Sequence, residues 1–179
     1  MLDSNPKGED LDSELKEMRE HYRITKLLAE YCHGCDRLNR DMMASTYDKE
    51  SWDDHGQYKG DGHEFADYSM KLIADTYQSC THQLGQSLIK VNGNEAAAET
   101  YFIAVLRRNT DSGEVLDQIA GRYVDKLVRV DGKWKIKKRL CVKEWSITIP
   151  VTENSFKDNP FITGQLTWGK DASFEVLGC

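Results

Sequence analysis

The chain has 179 residues, 39% hydrophobic and 30% charged, with a net charge of −6. That length supports one domain with its own core. No basic block stands out, and the Lys and Arg residues of 135–143 alternate with apolar ones, which argues against nucleic-acid binding. No apolar run approaches the roughly 20 residues of a membrane span.

The opening MLDSNPKGEDLDSELKEMRE is acidic and polar, unlike a secretory signal. Residues 1–10 read as a disordered tail. From Leu11 to Leu38 the pattern is helical. Ile24, Leu27, Leu28, Tyr31, Cys35 and Leu38 recur at three- and four-residue steps and make one apolar stripe. Asp41–Tyr47 reads as a short second helix with Asp41 as N-cap. Trp52–Gly62 is turn-rich, with a short strand near Gly56–Lys59. A third helix is expected from His63 to Tyr77.

Strands follow. Thr81–Val91 ends at the turn signal Asn92-Gly93. Ala96–Arg108 is apolar on both faces, so it should be central and covered on both sides. Gln118–Val130 and Lys133–Trp145 flank Asp131-Gly132, a strong hairpin signal. The remaining residues have no period, yet Phe156, Phe161, Trp168 and Phe174 need something to pack on. The organisation is therefore a tail (1–10), a folded unit (11–146) and a C-terminal extension (147–179) lying on its own or a neighbouring subunit. Helices first and an antiparallel meander second define an α+β fold. A curved sheet with helices on its concave side leaves a pocket, the usual place for a small ligand.

Asp36 ends the first helix, where a carboxylate meets the negative end of the helix dipole. An imidazolium nearby would offset that cost. His82 is the best base in the chain, its ordinary pKa lying near neutrality. Tyr31 lies in the apolar stripe and needs a partner for its hydroxyl. Asp53, Asp54 and His55 have poor metal-ligand spacing, and a loop at a pocket mouth, with His55 or Tyr58 on substrate, is the better reading. Cys32 and Cys35 form a CxxC within a helix, which reads as packing. The five cysteines are odd in number and dispersed, as befits reduced thiols in a cytoplasm. No metal and no cofactor is expected. Tyr101, Arg107, Arg122 and Arg139 are strand positions that could face the pocket, where an Arg would bind an oxyanion.

The ordered set YCHGCDRLNRD, YDKESWDDHGQYKGDG, Thr81-His82, AETYF, GRYVDKLVRVDGKWKIKKR and KEWS resembles the SnoaL-like branch of the nuclear-transport-factor-2-like superfamily. This resemblance covers roughly residues 15–146. It implies a cone-shaped α+β barrel, a mostly antiparallel sheet wrapped around N-terminal helices. The superfamily includes bile-acid 7α-dehydratase, scytalone dehydratase, dehydrochlorinases, isomerases, cyclases and non-catalytic small subunits. In its dehydratases a helix-end Asp and a strand His form the proton-transfer pair, which implies catalytic roles for Asp36 and His82, with Tyr31 beside them. The further acid of the bile-acid enzyme has no counterpart in FIAVLRR.

The expectation is a cofactor-independent lyase, by dehydratase-like elimination or retro-aldol-type cleavage, acting on a hydrophobic aromatic or polycyclic small molecule. The alternatives are an isomerase or cyclase of a ketone, polyketide or steroid-like substrate, and a non-catalytic small subunit or ligand-binding module. The resemblance also implies a homo-oligomer, a trimer before a dimer.

Overall fold

The structure is a computed structural model and describes residues 8–152 and 171–178. The elements are α1 (Gly8–Asp36), α2 (Arg40–Ser45), β1 (Tyr47–Asp54), β2 (Lys59–Gly60), α3 (Gly62–Thr76), β3 (Ser79–Asn92), β4 (Glu95–Thr110), β5 (Gly113–Val130), β6 (Lys133–Pro150) and α4 (Ala172–Leu177). The six strands form one sheet in the order β2-β1-β6-β5-β4-β3. All neighbours are antiparallel except β1 and β6, which run parallel. The fold is the expected cone-like α+β arrangement, left open rather than closed into a barrel among the described residues. No described helix is long and apolar enough to cross a membrane.

The second half of α1 lies in the sheet's hollow. Ile24, Leu27, Leu28, Tyr31, Cys32 and Cys35 are buried there, as their spacing predicts. Its first half leaves Leu11, Leu15, Met18 and Tyr22 exposed. Glu20 ties the helix to the last hairpin, accepting from Arg129 Nη2 at 2.6 Å and from the Trp134 indole at 2.9 Å. The helix then stops in a Schellman turn. Asn39 N–H donates to Gly34 O at 2.8 Å and Leu38 N–H to Cys35 O at 3.4 Å, with Leu38 at φ +52°. A non-glycine in that region is strained, and burial of the Leu38 side chain offsets the cost. Gly34 is required because any Cβ there would stand 2.6 Å from Met43 N, where α2 closely approaches α1.

Several local expectations need correction. The N-cap of α2 is Asn39, whose side chain accepts from Met42 N, not Asp41. The segment read as helix end and turn contains the strand β1, and the short strand near it is β2. The fourth meander strand runs on to Pro150. β4 is central, but Tyr101 and Ile103 on its outer side are exposed, so among the described residues only its inner face is covered. Phe156, Phe161 and Trp168 lie outside the described residues, as do residues 1–7. Phe174 sits in α4, with its ring edge-on to His33 at 6.2 Å.

Asp131 and Gly132 both have positive φ, the I′ geometry that suits the twist of the β5–β6 hairpin. Register slips between Ala120 and Gly121 opposite β6. A Cβ at Gly121 would meet Val142 O at 2.3 Å and the Phe102 ring at 3.0 Å, so only glycine allows the sheet to bend here.

Candidate active site

Between α1, α3 and the inner face of the sheet lies a cavity of about 480 Å³. Its walls are mainly aromatic and aliphatic: Tyr58, Phe65, Tyr68, Phe102, Ile119 and Tyr123. Phe102 and Tyr123 stack at 4.3 Å, forming a flat floor. Such a lining suits a hydrophobic ring system.

Strand alternation puts Cys80 and His82 on the side of β3 that faces α1. The Schellman turn brings Asp36 to the same place. His82 Nδ1 is 2.6 Å from Asp36 Oδ1, and the His82 backbone N–H donates to Asp36 Oδ2 at 2.8 Å. The Cys80 thiol donates to Oδ1 at 3.3 Å. Three donors thus replace the water that a carboxylate at a helix C-terminus loses on burial. Burial pushes the Asp36 carboxyl upward, but the His82 ring and backbone bonds, its charge and the Cys80 bond hold it below its ordinary value. For His82, burial favours the neutral ring; the bond to Asp36 and nearby negative charge prevail and raise its pKa. A carboxylate can only accept, so the neutral ring carries its hydrogen on Nδ1 and offers a bare Nε2 to the cavity.

A second Asp–His pair borders the same cavity. Asp53, fully buried, accepts the Tyr47 hydroxyl at 2.5 Å and pairs with His55 Nδ1. The His55 ring stacks on Phe65 at 4.2 Å. Its Nε2 stands 3.4 Å from the Tyr31 hydroxyl. Behind Tyr31, the guanidinium of Arg139 lies between the rings of Tyr31 and Tyr123, 4.1 Å from each centroid. It is held by Asp125 through two bonds of 2.8 and 2.7 Å. Burial pushes the Tyr31 hydroxyl well above its ordinary pKa while Arg139 pulls it down, so Tyr31 is a neutral donor.

Asp36, His82, Tyr31, His55 and Tyr58 therefore meet around one space; all except the carboxylate of Asp36 line it directly. The other substrate-binding candidates are elsewhere. Tyr101 is exposed on the outer face. Arg122 is also outside, bridging Glu99 at 2.8 Å and Glu144 at 2.7 Å. Arg107 is buried and pairs with Glu114 at 3.3 Å. Arg139 acts on Tyr31 from behind rather than lining the cavity. The Asp53–His55 pair and the wall formed by Phe65, Tyr68, Phe102 and Tyr123 are not among the site features expected from the sequence. The two-residue spacing of Asp53 and His55 was the available signal, because it puts both side chains on one side of an extended segment.

The arrangement is an open α+β cone with the Asp36–His82 pair beside an apolar cavity. The chain belongs to the SnoaL-like family: the model of the SnoaL-like domain matches residues 16–140. No curated protein matches its sequence. Among solved structures it is similar to a candidate scytalone dehydratase from Novosphingobium aromaticivorans, at 20% identity and a TM-score of 0.65, covering 80% of this chain and 98% of that one. It is also similar to the hexachlorocyclohexane dehydrochlorinase LinA-type3 from Novosphingobium barchaimii, at 18% identity and a TM-score of 0.66, covering 76% and 94%. A third similar structure is that of a protein of unknown function from Mycobacterium tuberculosis, at 21% identity and a TM-score of 0.60, covering 72% and 74%. At these identities the likeness establishes the fold.

Proposed function

We propose that this chain is a lyase that eliminates a small leaving group from a hydrophobic, ring-containing molecule by side-chain acid–base chemistry. The observation that carries the reading is the 2.6 Å Asp36–His82 pair beside an aromatic cavity. His82 Nε2 removes a proton from a carbon next to an activating carbonyl or aryl group. The resulting imidazolium is held by Asp36, so charge appears where a counter-charge already stands.

The departing oxygen or halide needs a donor. Tyr31 supplies it, and the Asp53–His55 pair replenishes the proton through the His55–Tyr31 contact. The C–H bond breaks, its electrons form the new double bond, and the leaving group departs with a proton as water or as an acid. A base arm and a donor arm on one cavity favour elimination over isomerisation, which returns the proton to the same substrate. A ligand-binding module would need neither arm. The dehydratase and dehydrochlorinase names of two similar folds agree with this chemistry.

The test is a panel of cyclic β-hydroxy ketones and halogenated cyclohexanes incubated with the pure full-length protein. Loss of water or hydrogen halide is followed by mass spectrometry. Elimination by the wild type, reduced at least about 10²-fold in His82→Ala with the circular dichroism unchanged, is the expected result. Equal rates in both proteins would refute the assignment of the base.

A further inference from the structure

The CxxC of α1 does not close on itself at this site. Cys35 instead meets Cys80 of β3 at the Asp36–His82 pair, and one donor atom from each of the four residues lies within 4.8 Å of every other. We propose that Cys35, Cys80, His82 and Asp36 form a binding site for a thiophilic divalent cation of the zinc type, and that filling it switches off the base. Binding stands on the geometry alone; its inhibitory effect rests on the lyase reading.

The donor set comes first. Two thiolates, an imidazole and a carboxylate are the ligands that tetrahedral zinc selects, whereas magnesium and calcium prefer all-oxygen sites. Bonds of about 2.0–2.3 Å to a tetrahedral ion imply ligand-to-ligand edges of roughly 3.3–3.8 Å. Cys80 Sγ is 3.8 Å from His82 Nδ1 and 3.3 Å from Asp36 Oδ1, within that range. The 2.6 Å separation of Asp36 and His82 is shorter, because a proton now bridges them. A cation replacing that proton widens the gap by less than about 1 Å. The Cys80, Cys35 and Asp36 side chains are already buried and held in place by the fold. Cys35, Cys80 and His82 also line the cavity, which gives the ion a route in.

The proton balance gives the consequence. Each thiol releases its proton to solvent as it becomes a thiolate ligand. The ring gives up the Nδ1 hydrogen to coordinate through that nitrogen and, remaining neutral, carries its hydrogen on Nε2 instead. Two protons leave per cation bound. The nitrogen facing the cavity then holds a hydrogen and can accept none, so the general base is lost while the pocket stays open. The cation and the dyad proton compete for one nitrogen.

Cobalt(II) is the probe, because thiolate ligation gives a charge-transfer band in the near ultraviolet and a tetrahedral site gives strong visible bands. The reduced full-length protein is titrated with cobalt(II) and then with competing zinc. One equivalent per chain with both sets of bands is expected. They should vanish in Cys35→Ser and in Cys80→Ser and persist in Cys32→Ser, with circular dichroism showing that each variant folds. Should Cys80→Ser not fold, Cys35→Ser carries the comparison. Absence of thiolate bands at one equivalent, or bands that survive in Cys35→Ser, would overturn the site. On an eliminated substrate, zinc at one equivalent should cut turnover at least about 10²-fold, the contribution of a general base, and a chelator should restore it. Full turnover with the cobalt bands present would overturn the inhibition. Bands in a protein inert in its cation-free state would leave the site standing and count against the lyase reading.

Discussion

Asp36→Asn is the sharpest test of how the pair works, because it changes one atom and leaves the shape. The carboxylate accepts three bonds: His82 N–H at 2.8 Å, His82 Nδ1 at 2.6 Å and the Cys80 thiol at 3.3 Å. The asparagine oxygen can keep the backbone bond. Its amide then faces Nδ1 as a donor, so the ring must present a bare Nδ1 and carry hydrogen on Nε2. The base is lost through the tautomer, with no residue displaced. A wrong tautomer in an Asp–His arrangement costs about 10⁴-fold in turnover, and about 10³–10⁴-fold is expected here.

Stability should move far less. Charge-assisted bonds are worth about 1.5–3 kcal/mol, but the substitution also removes a buried charge and relieves about 0.3–1 kcal/mol of unfavourable helix-dipole interaction. The net loss should be about 1–2 kcal/mol, a fall of several degrees in Tm. Nitrogen-15 NMR of the His82 ring reads the tautomer directly, beside turnover and thermal unfolding. Turnover within about five-fold of wild type, or hydrogen still on Nδ1 in the variant, would refute the reasoning.

The donor arm predicts that His55→Phe, which keeps the stack on Phe65, slows elimination of hydroxide by about 10–10²-fold while hardly affecting halide, which needs no proton; equal effects on both leaving groups would show that His55 only packs. Glu20 is raised by burial but drawn down by Arg129, Trp134 and Arg19 to about 2. Its folded pKa is depressed, so its contribution is present above the ordinary carboxyl range and lost as pH falls towards 2. Glu20→Gln should therefore lower Tm at pH 7, and thermal melts should show the gap to wild type closing below about pH 3. We propose that a second copy of the chain packs on the exposed outer residues Tyr101, Ile103, Trp145, Ile147 and Ile149. Light scattering at micromolar concentration should show a trimer, or failing that a dimer, and Ile147→Lys should dissociate it; a monodisperse monomer would refute this.

The parts of the fold legible in the sequence were those set by local rules. The stripe of α1 follows helical spacing, and Asp131-Gly132 specifies its turn chemically. The order of Asp36 and His82 within the family pattern marked the dyad. β1 was hidden because YDKESWDD is mostly polar and its parallel partner, β6, lies some 90 residues away, so no turn announces the pairing. The side of the strands was also undetermined. β4 alternates apolar residues on both faces, so neither Tyr101 nor Phe102 declares itself inward. The bulge at Ala120/Gly121 shifts the pairing of β5 and β6 without a sequence signal beyond one glycine. Arg122 and Arg139 were consequently indistinguishable, although one bridges surface acids and the other is sealed behind Tyr31.

The last turn of α1 has a second duty. β3 stands at the end of the strand order, with β4 on one side and no strand on the other among the described residues. Its free backbone groups would be a template for another chain. Asp36 occupies the His82 N–H, and Arg37 Nη2 donates to Cys80 O at 3.1 Å. The carboxylate that holds the His82 ring thus also blocks unwanted strand addition. Substitutions that abolish both bonds should therefore promote aggregation as well as inactivity, and selection for either property alone would preserve the same aspartate.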